Sequence, residues 1–170
     1  MSAIKVVPYD PAWPGSYAAE RARLLRSLDL PGDAIEHIGS TAVPGLAAKP
    51  ILDILVGAPS LLHIEERIEA LMRLGYRHVG EYDRLLPERR YFVRGEADVR
   101  TCHLHAVVQG SDFWSERLAF RDALRSNPEI AARYAELKRR LAEALGADSA
   151  AYTDAKTGFV RDVLEAWRRG

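Results

Sequence analysis

The sequence predicts an α/β fold in which helices flank a mixed sheet of about four to six strands. Two apolar runs, at residues 34–38 and 51–56, lie on either side of a Gly-Ser-Thr turn. Strand-like and helix-like segments alternate through residues 1–110, as in proteins whose helices pack on a sheet. Residues 111–170 have helical periodicity throughout, so we expect C-terminal helices that complete a single domain over residues 1–170.

The first elements are a short strand and an amphipathic helix. Residues 4–7 are rich in β-branched side chains and end at Pro8, which is typical of an edge strand. Asp10-Pro11-Ala12-Trp13-Pro14 favours a helix start, because proline is well accommodated in a first helical turn. Pro31-Gly32 ends this helix, and residues 34–38 form the first core strand.

The next elements are a buried strand and a second helix. Residues 51–56 are almost continuously apolar, as in a strand that is covered on both faces. Ser60 is a candidate N-cap for the helix that follows. That helix carries an apolar stripe at Leu61, Ile64, Ile68 and Leu71, and Gly75 ends it.

Three further segments have strand character. They are residues 76–79, 91–93 and 101–108, with a polar, charged stretch at residues 81–90. Residues 95–98 predict a hairpin turn between the last two strands, since glycine favours a reversal of the chain.

The C-terminal section predicts three helices with apolar stripes. The first covers residues 113–124 and ends before Pro128, and the second covers residues 130–145 and ends at Gly146. Asp148 or Ser149 caps the third helix, whose stripe comprises Tyr152, Phe159, Val163 and Trp167. These stripes are most simply core-facing surfaces.

Composition narrows the class of protein. The chain has 170 residues, of which 48% are hydrophobic and 28% charged, and its formal net charge is zero. We therefore expect no general affinity for nucleic acid or for an anionic membrane. The single cysteine, Cys102, fits a reducing compartment, and the first ten residues lack the apolar segment of a signal peptide. Together these features predict a cytoplasmic protein.

The most informative stretch, residues 37–56, has the layout of a phosphate-binding loop. Gly39 permits close approach of an anion to the backbone, and Ser40 and Thr41 add hydroxyl donors. Lys49 adds a mobile cation. Asp53 interrupts an apolar strand, where a carboxylate is costly unless it is paired or bound to a metal. The simpler alternative is that the glycines only form turns and that Asp53 pairs with Lys49.

Two histidines could meet this carboxylate. His103 and His105 share one face of their strand because side chains alternate. If that strand lies beside the Asp53 strand, the three groups could hold Mn, Fe or Zn. Two alternatives remain: one histidine merely hydrogen-bonds Asp53, or the groups never meet.

Other residues are weaker candidates. Arg100 could clamp a phosphate through its planar fork or form an ordinary ion pair. Tyr152 and Lys156 lie one helical turn apart and could project toward one site. His37 could act as an acid or base, although a strand-end hydrogen bond is the commoner role. Cys102 faces away from His103, so the two form a poor nucleophile–base pair.

Residues 37–54 resemble the signature of the GrpB family. The resemblance continues through Arg100–His105, Phe120–Asp122 and Tyr152–Lys156, and so spans nearly the whole chain. That family is grouped with the nucleotidyltransferase-fold superfamily, and some members are fused to dephospho-CoA kinase domains. The resemblance thus implies a nucleotidyltransferase-like sheet core with a C-terminal helical section.

The nucleotidyltransferase pattern pairs Gly-Ser with a strand that bears two acids, and a third acid lies on a later strand. These acids hold two divalent metals. Here Gly39, Ser40 and Asp53 match, but Leu55 replaces the second acid and cannot bind a metal. His103 and His105 occupy the later strand, and histidine favours transition metals over magnesium.

Three functions follow as expectations. The first is a nucleotidyltransferase-like protein that binds a nucleotide or another phosphorylated small molecule, with Mg²⁺ or Mn²⁺ anchored by Asp53. The second, favoured by Leu55, is a non-catalytic module for a nucleotide or a coenzyme A precursor. The third is a single-metal hydrolase built on Asp53, His103 and His105. The sequence predicts neither the substrate nor the oligomeric state.

Overall fold

A mixed sheet forms the centre of the computed structural model, which describes residues 5–96, 99–146 and 148–169. Within these residues the strands are β1 (Ile35–Ile38), β2 (Leu52–Ala58), β3 (Tyr76–His78), β4 (Arg89–Glu96) and β5 (Val99–Val108). Their order across the sheet is β1-β2-β5-β4-β3. The β2–β5 pair is parallel and the other pairs are antiparallel. The predicted α/β class and mixed sheet are confirmed.

Seven helices are seen in the described part of the chain. They are α1 (Trp13–Leu28), α2 (Leu61–Glu65), α3 (Ile68–Arg73), α4 (Asp112–Ser126), α5 (Pro128–Leu145), α6 (Ser149–Asp154) and α7 (Thr157–Arg169). None of these helices has the length and apolar character needed to cross a membrane.

Side-chain caps fix two helix starts where the sequence predicts them. The Ser60 hydroxyl accepts a hydrogen bond from the His63 backbone N–H at 3.2 Å, at the start of α2. The Asp148 carboxylate accepts one from the Ala151 N–H at 2.9 Å, at the start of α6. Each cap satisfies a backbone donor that the helix itself leaves unpaired.

Two predicted helices are each divided in the structure. The helix after Ser60 breaks into α2 and α3 at Arg67, whose φ of −114° and ψ of 12° leave the helical range. The last predicted helix is split into α6 and α7. An apolar stripe cannot reveal such breaks, because the same face remains buried on either side. Trp167 is 46% exposed, so its assignment to the core stripe is wrong.

Two predictions at chain turns overlap residues outside the described ranges. Val7 forms an isolated bridge with Ala48, as suits the predicted edge strand, but Ile4 is not described. In the predicted hairpin turn at residues 95–98, Ala97 and Asp98 are likewise not described.

The two faces of the sheet are covered differently. One face packs against α1, α2 and α3 through a continuous core that includes Leu24, Ile54, Ile64 and Leu104. On the other face, Trp114 of α4 packs on Ile38, Leu55 and Val107.

Helices α4, α5 and α7 share a second core with the loop between β1 and β2. Val43 and Leu46 of that loop pack with Phe120, Tyr134 and Leu164. The C-terminal helices are thereby held against the loop, beside the sheet face that carries Asp53.

Candidate functional site

The sheet register places Asp53 beside both histidines. Asp53 of β2 pairs with His103 of β5, and Leu55 pairs with His105. Residues that are paired across neighbouring strands project from the same face. Asp53, His103 and His105 therefore share the sheet face on which α4 packs.

Both imidazoles reach one oxygen of the carboxylate. His103 Nδ1 lies 3.1 Å from Asp53 Oδ1, and His105 Nε2 lies 3.6 Å from the same oxygen. Burial alone would raise the pKa of Asp53, but the contacts from His103 and His105 outweigh it and hold the pKa well below its usual range. Asp53 is therefore ionised at neutral pH. The geometry brings both histidines to Asp53. The alternative in which the three groups never meet is therefore excluded.

Arg89 adds a cation behind His105. Its Nη1 lies 3.0 Å from His105 Nδ1, and its guanidinium packs 4.8 Å from the centre of the Tyr91 ring. Burial lowers the pKa of His105 to about 4, with Asp53 opposing this shift and Arg89 adding to it. His105 is thus neutral at physiological pH.

Gly39 lies directly against the carboxylate. Its φ of 73° and ψ of −172° belong to a region that is essentially restricted to glycine. A Cβ atom at this position would lie 2.5 Å from Asp53 Oδ2. The glycine therefore allows the loop backbone to contact Asp53.

Three of the four lysines in the chain meet near this centre. Lys49 Nζ lies 4.2 Å from the centre of the Tyr152 ring, and Lys156 Nζ lies 4.3 Å from the same centre. Burial lowers the pKa of Lys49, and burial followed by the repulsion of Lys49 lowers that of Lys156 to about 8. The negative charge of Asp53 partly opposes both shifts, so the carboxylate is near enough to stabilise both ammonium groups.

Lys138 is the third lysine and the most deeply placed. It is 2% exposed, and its ammonium donates to the Ala47 carbonyl oxygen. Burial, followed by repulsion from Lys156, lowers its pKa to about 7, and Asp53 again opposes the shift. We call Lys49, Lys138 and Lys156 the lysine cluster.

The two hydroxyls of the loop have different surroundings. Ser40 approaches the Tyr134 side chain, whose ring centre lies 5.0 Å from Lys138 Nζ of the lysine cluster. Thr41 is buried, and its Oγ1 lies 2.9 Å from His37 Nε2 and donates weakly to the Ile51 carbonyl at 3.5 Å. The Thr41 hydroxyl therefore holds the loop together, and this geometry does not favour the predicted role in phosphate binding.

Of the remaining candidates, Arg100 lies near the site, whereas His37 and Cys102 are buried away from it. Arg100 is exposed at the edge of the site, close enough to Lys49 to lower its pKa. His37 is buried in the structural role that the sequence favours, with its ring stacked 4.6 Å from that of Tyr17. Cys102 is fully buried on the opposite face, 3.3 Å from the Tyr76 hydroxyl, and burial raises its pKa to about 12.

The site does not fit a two-metal centre. Leu55 occupies the second acid position and is completely buried against Trp114 and its neighbours. Ligand atoms around one ion would be about 3 to 3.5 Å apart, given metal–nitrogen bonds of about 2 Å, so the distances to Asp53 Oδ1 alone do not exclude a single ion. Among the described residues, however, no group of three or more His, Cys, Asp or Glu side chains has an arrangement suited to a metal.

Sequence reasoning missed Lys138. Arg89 falls in the charged stretch at residues 81–90, where Arg89 and Arg90 beside Tyr91 could contact a nucleotide base or phosphate but more simply form a solvated charge run. A signal for Lys138 was present: it follows Tyr134 by four residues, between Leu137 and Leu141, within the apolar stripe of α5. A lysine in such a stripe must be covered or must line a polar site. For Arg89 the sequence offers no comparable signal, because it lies in a polar stretch and looks the same as its neighbour Arg90. Arg90 forms only an ordinary ion pair, with Glu65 at 2.7 Å.

Comparison with known proteins places the chain in a family. The family model described as GrpB protein matches residues 3–166. The chain is 42% identical to UPF0157 protein PA4798 of Pseudomonas aeruginosa, over 95% of this chain but 66% of that protein, which is therefore longer. It is 29% identical to a dephospho-CoA kinase of Mycolicibacterium paratuberculosis, over 96% of this chain and 46% of the kinase.

A solved structure is similar over nearly the full length. The crystal structure of conserved protein GrpB from Enterococcus faecalis aligns with a TM-score of 0.84 and 36% identity, covering 96% of each chain. The family match and this structural likeness agree with each other, and the chain belongs to the GrpB family.

Proposed function

We propose that this protein binds a phosphorylated small molecule, such as a nucleotide, between the Gly39–Ser40 turn and the lysine cluster. The observation that carries the proposal is the convergence of Lys49, Lys138 and Lys156 from three separate segments. The whole chain has no net charge, so this cluster is a local basic site in an otherwise balanced protein.

The electrostatics of the cluster favour an anionic ligand. Burial is the main cause that lowers the pKa values of Lys138 and Lys156, and repulsion from Lys156 on Lys138 and from Lys49 on Lys156 adds to it. A bound phosphate would reverse that repulsion and raise the pKa values of Lys138 and Lys156, which are about 7 and 8 without ligand. Binding near pH 7.5 is therefore expected to take up protons from the buffer.

The chemistry of the bound ligand has two candidate forms. In the first, the protein is a transferase-like enzyme in which Asp53 and its histidines act at the phosphate, with Mg²⁺ or Mn²⁺ held by the carboxylate and the ligand. In the second, it is a binding module without catalysis, which the buried Leu55 favours because a second metal has no ligand there. Coenzyme A precursors belong among the ligands to test, because one relative is named a dephospho-CoA kinase.

Thermal unfolding with a ligand panel tests the proposal. The panel comprises inorganic phosphate, pyrophosphate, nucleoside di- and triphosphates and coenzyme A precursors, each with EDTA, Mg²⁺ or Mn²⁺. A ligand at about 100 times its Kd stabilises the fold by about 2.7 kcal/mol, which raises the Tm by roughly 5–10 °C in a chain of this size.

Lysine variants tie such a shift to the site. Lys49→Met and Lys156→Met should lose most of the shift, whereas Lys5→Met is the matched control because Lys5 is the fourth lysine and lies outside the cluster. Without ligand, the Tm of Lys156→Met should not fall, because the change removes a charge that burial and the repulsion of Lys49 both disfavour.

Each outcome has a defined meaning. A shift that needs a divalent ion favours the transferase, and a shift that survives EDTA favours the binding module. The absence of any shift across the panel, or equal shifts in Lys156→Met and Lys5→Met, would contradict the proposal.

A further inference from the structure

We infer that Arg89 is a positioning residue that locks His105 in the tautomer whose Nε2–H faces Asp53. In consequence, His105 Nε2 offers no lone pair to a metal, and Asp53, His103 and His105 do not together form a transition-metal centre. This inference concerns the protein without ligand, so it does not depend on the proposed function.

The argument begins with the chemistry of the two side chains. A guanidinium group has five N–H donors and no acceptor. Arg89 Nη1 lies 3.0 Å from His105 Nδ1, so Nδ1 must accept this hydrogen bond through its lone pair. A neutral imidazole with a bare Nδ1 carries its proton on Nε2.

That proton faces the carboxylate. His105 Nε2 lies 3.6 Å from Asp53 Oδ1, on the far side of the ring from Arg89. The side chains of Arg89, His105 and Asp53 therefore form a row of contacts in which each N–H points the same way, from the cation toward the anion. Such a row is favourable at each end, because the ring dipole follows the field between the two charges.

The same row of contacts opposes metal binding. A metal at Nε2 needs the lone pair of that atom, so the proton would have to move to Nδ1, where it would face an N–H of Arg89 at 3.0 Å. Metal-ligating histidines instead donate their second N–H to a carboxylate or carbonyl group. A 180° rotation of the His105 ring does not remove this conflict, since it would place a carbon atom instead of Nδ1 against Arg89.

Arg89 is itself held in place. It is 9% exposed, and its guanidinium lies 4.8 Å from the Tyr91 ring centre and 5.8 Å from that of Phe113. Two aromatic neighbours and deep burial leave it little freedom to release His105.

His103 differs from His105 in one respect. Its Nδ1 lies 3.1 Å from Asp53 Oδ1, but its Nε2 has no hydrogen-bond partner within the described ranges. With Nδ1–H donated to Asp53, Nε2 retains a free lone pair. His103 is therefore the member of the cluster that keeps a nitrogen for acid–base chemistry.

The direct test is the tautomer of His105, measured from ¹⁵N chemical shifts of the imidazole rings at pH 7. We expect a protonated Nε2 and an unprotonated Nδ1. Arg89→Met removes the donor and should move His105 toward a mixture of tautomers, whereas Arg89→Lys keeps a donor and should largely restore the wild-type pattern. Arg90→Met is the matched control, because Arg90 donates to Glu65 at 2.8 Å instead of to a histidine.

A second arm uses Zn²⁺ alone as the probe. One equivalent should leave the His105 resonances of the wild type unchanged, and it should shift Nε2 in Arg89→Met, where the constraint is gone. A wild-type His105 protonated on Nδ1, a Zn²⁺-induced shift of its Nε2, or an unchanged tautomer in folded Arg89→Met would each overturn the inference. If Arg89→Met does not fold, the two wild-type measurements still decide the question.

Discussion

Substitution of Gly39 by alanine tests whether the loop backbone and the Asp53 carboxylate are as closely fitted as the structure indicates. Gly39 has φ 73° and ψ −172°, and an added Cβ would lie 2.5 Å from Asp53 Oδ2 and 3.0 Å from Asp53 Cβ. Either the loop or the carboxylate must move to accept the methyl group.

The cost has two parts. A non-glycine residue in this backbone region costs about 1–3 kcal/mol. Adding a methyl group to a packed contact costs about 1–3 kcal/mol more. We therefore expect the free energy of unfolding to fall by about 2–6 kcal/mol, and the Tm by at least about 4 °C, since 1 kcal/mol corresponds to roughly 2–4 °C in a chain of this size.

Urea and thermal unfolding measure this loss, and Gly45→Ala supplies the control. Gly45 also has a positive φ, 79°, but a Cβ there would meet no atom within 4 Å. Gly45→Ala therefore includes the cost of a positive φ without the contact. The excess loss in Gly39→Ala therefore reports the contact with Asp53 together with the stricter backbone requirement at Gly39.

The site should change along with the stability. A displaced carboxylate would lengthen the contact between Asp53 Oδ1 and His103 Nδ1, which is 3.1 Å in the native protein, and the His103 imidazole ¹⁵N shifts should report it. Equal destabilisation in Gly39→Ala and Gly45→Ala, with unchanged His103 shifts, would refute the reasoning.

Three other outcomes follow from the structure. Burial lowers the pKa of His37 from 6.5 to about 4, so the folded protein favours the neutral imidazole. The stability that depends on this neutral form is complete above pH 6.5, and about 3 kcal/mol of it is lost as the pH falls toward 4. Burial lowers the pKa of His105 in the same direction. Urea titrations of the wild type and His37→Gln at several pH values should show a smaller pH dependence in the variant, and equal slopes would exclude His37. Thr41→Val should lower stability by about 1–2 kcal/mol and leave phosphate affinity unchanged, whereas Ser40→Ala should weaken that affinity by about 1–2 kcal/mol in calorimetry. The reverse pattern would exchange their roles. Cys102 should react with a thiol reagent only as fast as the protein unfolds, because the thiol is fully buried and its pKa is raised to about 12; rapid labelling under native conditions would contradict its burial.

Local patterns were sufficient for most of the fold. The apolar run at residues 51–56 predicts β2, which spans Leu52–Ala58, and the proline and glycine punctuation predicts the limits of α4 and α5. The breaks between α2 and α3 and between α6 and α7 were not predictable in this way. A one-residue departure at Arg67 leaves the apolar face continuous, so hydrophobic periodicity does not register it.

The candidate site was only partly predictable, for a similar reason. A Gly-Ser-Thr turn before a strand with an acid is a local pattern, and it located Gly39, Ser40 and Asp53. The same pattern could not separate the roles of Ser40 and Thr41. Which hydroxyl faces the site depends on the short helical turn at Ser40–Ala42, and that turn directs Thr41 inward toward His37.

The sequence alone determined the chemical types that are present: an acid within an apolar strand, two histidines on one face of another strand, and a lysine inside an apolar helical stripe. Strand register and helix packing determined which of them meet. The parallel pairing of β2 with β5 sets Asp53 opposite His103, and the packing of α5 against the β1–β2 loop brings Lys138 to the Ala47 carbonyl. These contacts join residues 50 and 91 positions apart, and no local pattern encodes them, because distant contacts depend on the free energy of the whole packed core.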